Sequence, residues 1–134
     1  DSCFNMTKQV MDGMMERGWG RVINISSVNG QKGAFGQTNY AAAKAGLHGF
    51  TKSLALEVAK KGVTVNTISP GYIGTKMVTA IAPEVLASKI LPQIPMSRLG
   101  KPDEVAGLVA YLSSEEAAFV TGANISINGG QHMF

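Results

Sequence analysis

Three short apolar runs, separated by stretches of helical character, limit what this chain can fold into more than any other feature. Val22-Ile23-Asn24-Ile25-Ser26 reads as a buried strand and Val63-Thr64-Val65-Asn66-Thr67-Ile68 as a second; the last centres on Ile125-Ser126-Ile127. A first helix places Phe4, Val10, Met11, Met14 and Met15 on one side and ends near Gly18. A methionine stripe at that spacing is core packing. A second helix runs from about Tyr40 to Lys60, with Gly62 as its stop. Ala43, Leu47, Phe50, Leu54 and Val58 form its main stripe. Ala45, Gly49 and Leu56 make its other sides small or apolar, which points to a second burial surface such as a subunit interface. Pro102-Asp103-Glu104 opens a third helix through Leu112, with proline and acids in the first turn. Strands alternating with helices imply an α/β fold: a parallel sheet with helices on both faces.

The texture changes between positions 71 and 99. Pro83, Pro92 and Pro95 break the segment into short helical pieces around 76–81 and 84–90. Gly18-Trp19-Gly20 is a turn, with Trp19 as a packing anchor. Hydrophobic residues make up 45% and charged residues 16%, enough for a packed core. The net charge of +3 is scattered, which argues against a nucleic-acid partner. Cys3, the single cysteine, forms no internal disulfide. No run approaches the ~18 apolar residues of a membrane span, and no signal peptide is visible. Asn24-Ile25-Ser26 and Asn124-Ile125-Ser126 match the glycosylation pattern but lie on predicted strands.

Chemistry enters with Tyr40-Ala41-Ala42-Ala43-Lys44 and with Ser27, thirteen positions before the tyrosine. Residues four apart share a helix face, so the lysine ammonium sits beside the phenol. A free phenol has a pKa of about 10. A neighbouring cation favours the phenolate and lowers that value towards neutrality. A serine hydroxyl close by can hold a carbonyl oxygen. The three groups suit protonation of a ketone oxygen while hydride reaches its carbon, or the reverse. Tyrosine–lysine pairs also occur on ordinary helices, and Ser27 could merely cap the strand–loop transition. A glycine-spaced loop with Gly30, Gly33 and Gly36 separates Ser27 from the helix of Tyr40. The second strand leads into Ser69-Pro70-Gly71-Tyr72, and the chain closes on Asn128-Gly129-Gly130 after its last strand.

In order and spacing, these motifs resemble the C-terminal half of a short-chain dehydrogenase/reductase, over nearly the whole chain. The resemblance implies the C-terminal portion of a doubly wound, Rossmann-type sheet, with 1–134 a partial single domain. The glycine-rich turn that would cradle a pyrophosphate at a helix N-terminus does not occur in the sequence. By resemblance it belongs to an N-terminal half of roughly a hundred residues, within the usual domain-size range. The family's catalytic asparagine would fall just before Asp1, and Asn5 is not assigned that role. Within the family, the segment Asn29 to Tyr40, Ser69-Pro70-Gly71-Tyr72 and Gly129-Gly130-Gln131-His132-Met133 resemble the acetoacetyl-CoA reductases.

That likeness implies NADPH-dependent reduction of acetoacetyl-CoA to (R)-3-hydroxybutyryl-CoA, as in polyhydroxybutyrate synthesis. Tyr40 would donate the proton, Lys44 would lower its pKa and hold the nicotinamide ribose, and Ser27 would orient the carbonyl. Pro70, Gly71, Ile73 and Thr75 would join Tyr40 and Lys44 in holding the cofactor. Phe35, Gln37 and Tyr72, with Ser27, would flank the acyl-CoA thioester substrate. Phe35 and Tyr72 could equally be packing groups. Ala34 departs from the polar residue of the nearest reductases. The segment 71–99 resembles a substrate lid. His48, one turn after Lys44, is assigned a surface or interface role, and His132 none. No metal is implied. A cytoplasmic homotetramer is implied, with this helix and the one before it paired across an interface. Two alternatives stay open: a 3-oxoacyl-acyl-carrier-protein reductase of fatty-acid synthesis, and a non-catalytic relative serving as a binding or assembly subunit.

Overall fold

A computed structural model describes residues 2–26 and 33–132. Three strands, β1 (Gly20–Ile25), β2 (Val63–Pro70) and β3 (Asn124–Ile127), form a parallel sheet in the order β1-β2-β3. Helix α1 (Ser2–Arg17) precedes β1, and α2 (Gly33–Val58) crosses from β1 to β2. Two short pieces, α3 (Lys76–Thr79) and α4 (Pro83–Val85), follow β2, and α5 (Pro102–Ser113) precedes β3. The α/β reading from sequence is borne out.

The central strand explains the topology. Every residue of β2 from Val63 to Ser69 is buried, as for a parallel strand covered on both faces. Its side chains alternate between two cores. Val63 and Val65 pack with Met11, Ala55 and Val58 beneath α1 and α2. Ile68 packs with Leu112 and Ala117 on the α5 side. Among the buried polar groups of β2, Thr67 Oγ1 lies 2.8 Å from Thr51 Oγ1, and the Asn66 amide donates to the Val120 carbonyl at 2.9 Å.

Several expectations shift. Strand β1 starts two residues before Val22, because Gly20 pairs with Val63 and donates to the Gly62 carbonyl at 3.2 Å. Trp19 is not a core anchor. It is 44% exposed, with the Arg21 guanidinium 4.7 Å from its ring centroid, a cation–π arrangement. Helix α2 begins at Gly33 rather than near Tyr40, so Gly33 and Gly36 lie in its first turns and not in a loop; Gly30 lies outside the described residues. Each glycine costs a helix about 1 kcal/mol, but propagation from the alanine-rich turns beyond needs no new nucleus. The buried line of α2 is Thr51, Ala55 and Val58, with Leu54 at its flank. Small groups let the helix sit close to the sheet. The stripe drawn through the largest apolar residues shares Val58 with this line, but the most buried positions otherwise fall one residue on, at Thr51 and Ala55. On α1, Met11 is buried and Met14 and Met15 pack against the core, whereas Val10 is exposed. The segment after α4 runs on without a break through a widened turn over Leu86–Ile90 and a tightened one over Leu91–Gln93.

Helix α5 starts as its sequence predicts. Glu104 accepts from the Lys101 backbone N–H at 2.9 Å and from the Arg98 guanidinium at 2.7 and 3.0 Å. The hydrogen bond from Arg98, then that from Lys101, holds the Glu104 carboxyl at about 2.

Candidate active site

In a parallel sheet all strands end on one side, and ligands of open α/β sheets bind there. Pro70 closes β2 and Gly71 follows it; Asn128 follows β3. The Gly71 N–H donates to the Ile127 carbonyl at 3.0 Å, extending the β2–β3 ladder beyond the strand. A Cβ at Gly71 would lie 2.7 Å from Asn128 Cβ, so the approach of loop and tail requires glycine here. Ile73 is buried and bridges to Gly100. Gly100 donates to the Tyr72 carbonyl at 2.9 Å, and Gly74 donates to the Gly100 carbonyl at 2.8 Å. The loop is thus clamped on both sides.

Thr75 caps α3: its Oγ1 accepts from the Val78 N–H at 3.4 Å. The hydroxyl keeps its own proton to donate. Tyr72 lines a cavity of about 320 Å³ with Ile73, Met96, Arg98, Gly100, Glu104 and residues 126–130. Leu99-Gly100 bridges this loop to the start of α5, a role that sequence reading did not assign. The bond is long-range, and a lone glycine gives no sign of it.

Lys44 is half-buried on α2, four residues after Tyr40. Phe35, Gln37 and Tyr40 lie on the same helix, but their side chains are outside the described residues, and Ser27 is outside them altogether. The structure therefore brings together the β2 loop and its cavity, and gives the helical spacing of Tyr40 and Lys44. His48 is partly exposed, with its Nε2 buried on the side of α2 that faces Thr67 and Asn124. Burial first, and the Lys44 charge second, hold its pKa below the usual 6.5. His132 is exposed, and its carbonyl accepts from the Asn128 amide at 3.0 Å. Among the described residues no group of three His, Cys, Asp or Glu is placed to hold a metal, and no helix is long and apolar enough to cross a membrane.

The family model described as enoyl-(acyl carrier protein) reductase matches residues 1–132. The chain is 68% identical over 132 residues to an acetoacetyl-CoA reductase of Cupriavidus necator, covering 98% of this chain and 53% of that protein. It is 64% identical to nodulation protein G of Azospirillum brasilense, covering 96% and 52%. It is 50% identical to a 3-oxoacyl-[acyl-carrier-protein] reductase of Pseudomonas aeruginosa, covering 99% and 53%. The chain spans about half the length of the curated relatives it matches. With a parallel sheet, a Tyr-x-x-x-Lys helix crossing onto it and a clamped Pro-Gly loop at its carboxyl edge, the chain belongs to the short-chain dehydrogenase/reductase family.

Proposed function

We propose that this chain carries the proton-transfer half of an NADPH-dependent reductase that converts acetoacetyl-CoA to (R)-3-hydroxybutyryl-CoA. The observation that carries the reading is the junction of two elements at one sheet: the helix with Tyr40 and Lys44, and the Pro70–Gly71 loop at the carboxyl end of β2. The 68% identity to an acetoacetyl-CoA reductase supports the choice of substrate.

The residues present fit the nicotinamide end of a dinucleotide. The backbone from Pro70 to Ile73 is held at the strand ends, Thr75 has a hydroxyl proton to donate, and Lys44 brings a cation. Pro70, Gly71, Ile73, Thr75, Tyr40 and Lys44 would hold it. When bound, the reduced nicotinamide supplies the hydride, which no side chain can. Tyr40 gives its phenolic proton to the carbonyl oxygen. Lys44 stabilises the phenolate that remains, and Ser27 holds the oxygen by hydrogen bond. Phe35, Gln37 and Tyr72 border the acyl group, and binding energy from the distant coenzyme A aligns the ketone.

We also propose that the enzyme is a cytoplasmic homotetramer in which α2 packs against a second copy. Support comes from the outer face of α2, where Leu56 is 84% exposed and Gly46 and Gly49 have open space. The second reading is a reductase of carrier-protein thioesters, favoured by the relative from Pseudomonas aeruginosa.

The test uses the protein at its full encoded length. kcat/KM should be higher for acetoacetyl-CoA than for longer 3-oxoacyl groups on acyl carrier protein. Tyr40→Phe should cut kcat by about 10²–10⁴-fold, the range for a lost general acid, and leave cofactor binding nearly intact. A preference for carrier-protein thioesters moves the enzyme to fatty-acid synthesis. Near-normal kcat in Tyr40→Phe sinks the catalytic assignment.

A further inference from the structure

The sheet-facing side of α2 carries a polar group that the proposed chemistry does not use. His48 lies one helical turn beyond Lys44. Its Nε2 is buried and has no hydrogen-bond partner among the described residues. Leaving a buried ring nitrogen unpaired is costly. A small pocket of about 10 Å³ opens beside it, lined among others by Thr51, Lys52, Thr67, Ala123 and Asn124. That is the space of a single water molecule, which needs two to four polar partners.

The partners are at hand. The Thr51 and Thr67 hydroxyls lie 2.8 Å apart. The Asn124 carboxamide accepts the Ser69 hydroxyl on Oδ1 at 2.8 Å, which leaves its N–H groups to donate elsewhere. Asn124 also hydrogen-bonds the imidazole, which opposes the effect of burial on the ring, while Nε2 meets no partner within hydrogen-bonding geometry among the described residues. The charged groups around the imidazole are Lys44 and Lys52, both on α2, while Thr67 and Asn124 of the strands are uncharged. Ser69 directly precedes Pro70. Polar contacts therefore lead from the turn of Lys44, across the pocket, to the strand end that carries the Pro70–Gly71 loop.

We propose that one water molecule fills this pocket against His48 Nε2, and that His48, the water, Asn124 and Ser69 form a polar strap setting the spacing between Lys44 and the Pro70–Gly71 loop. The inference rests on the reading that Lys44 and this loop hold the nicotinamide end of a dinucleotide. His48 and Asn124 are then positioning residues, which act through the groups they hold.

The test again uses the protein at its full encoded length. A crystal structure should contain an ordered water within hydrogen-bonding reach of His48 Nε2. A pocket without it, or an imidazole turned out of the pocket, overturns the proposal. His48→Leu and Asn124→Leu should each weaken NADPH binding and lower kcat by about five-fold, the scale of one lost hydrogen bond. His48→Gln, which still reaches the water, should recover most of the loss. Binding of 2′-phospho-ADP-ribose, which lacks the nicotinamide, should be unchanged in all three. Parental NADPH binding in both leucine variants, or equal loss of both ligands, overturns the strap. If the leucine variants do not fold, His48→Gln and the water decide it: near-parental binding with the water in place supports the strap, and the water's absence overturns it. Tyr40→Phe stands apart as the control on chemistry, since near-normal kcat there refutes the catalytic reading without touching the strap.

Discussion

Gly62 fixes where α2 gives way to β2. It sits at φ 75°, and a Cβ there would collide with the Gly18 carbonyl oxygen. Gly18 has φ 68° and closes α1, so two helix-to-strand turns rest on each other through glycine alone. Gly62→Ala should cost about 1–3 kcal/mol, the range for strained backbone, and urea unfolding would measure it. An unchanged midpoint would mean the two turns can separate without loss. Sequence marked both glycines as helix ends, because that role is local. Their contact with each other, like the Gly100 clamp, joins distant positions and leaves no local pattern. Lys44 makes a second residue-scale prediction. With two proposed roles, Lys44→Ala should lower kcat and also raise the Kd for NADPH, unlike Tyr40→Phe. Isothermal titration beside steady-state kinetics separates the cases, and loss of turnover with unchanged cofactor affinity would remove the ribose role.

At the scale of elements, legibility followed locality. The start of α5 was readable because proline and acids near a helix N-terminus have a local cause. The start of α2 was not, because glycines signal a loop and only the cooperativity of the helix beyond them says otherwise. Trp19 was misread for a related reason: a large aromatic predicts burial, yet its partner is the Arg21 guanidinium, which in turn donates to the Ser114 carbonyl at 3.2 and 3.3 Å. The α5 start also makes a pH prediction. The Glu104 carboxyl lies at about 2 instead of the usual 4.5, through Arg98 first and the Lys101 N–H next. A depressed carboxylate contributes stability that is complete above its unfolded pKa and is lost as pH falls through its folded value. Glu104→Gln should therefore lower the urea midpoint at pH 7. The gap to the parent protein should narrow as pH falls from about 4.5 towards 2. A gap of constant size across that window would assign the effect to packing and not to charge.

At the scale of the whole molecule, the sheet has an open side. In the order β1-β2-β3, β1 pairs with β2 and with no other strand among the described residues. Val22, Ile23 and Ile25 give it apolar groups, and Ile25 at its end is exposed. A bare strand edge is a template for association. The pattern of strands and helices made the sheet legible; that the strand at Val22–Ser26 lacks a neighbour on one side followed only from the family resemblance, because strand order depends on contacts between distant segments. These 134 residues, expressed alone, should associate on size-exclusion chromatography and light scattering and should not reduce acetoacetyl-CoA with NADPH. The protein at full encoded length should be monodisperse and active under the same conditions. Lysine substitution at Ile25, placing a charge on the edge strand, should reduce association of the isolated piece without restoring activity, since the edge and the reaction fail for different reasons. A monodisperse isolated piece that turns over ketone would overturn both halves of this account: the edge would not be sticky, and the dinucleotide would need no residues beyond those present here.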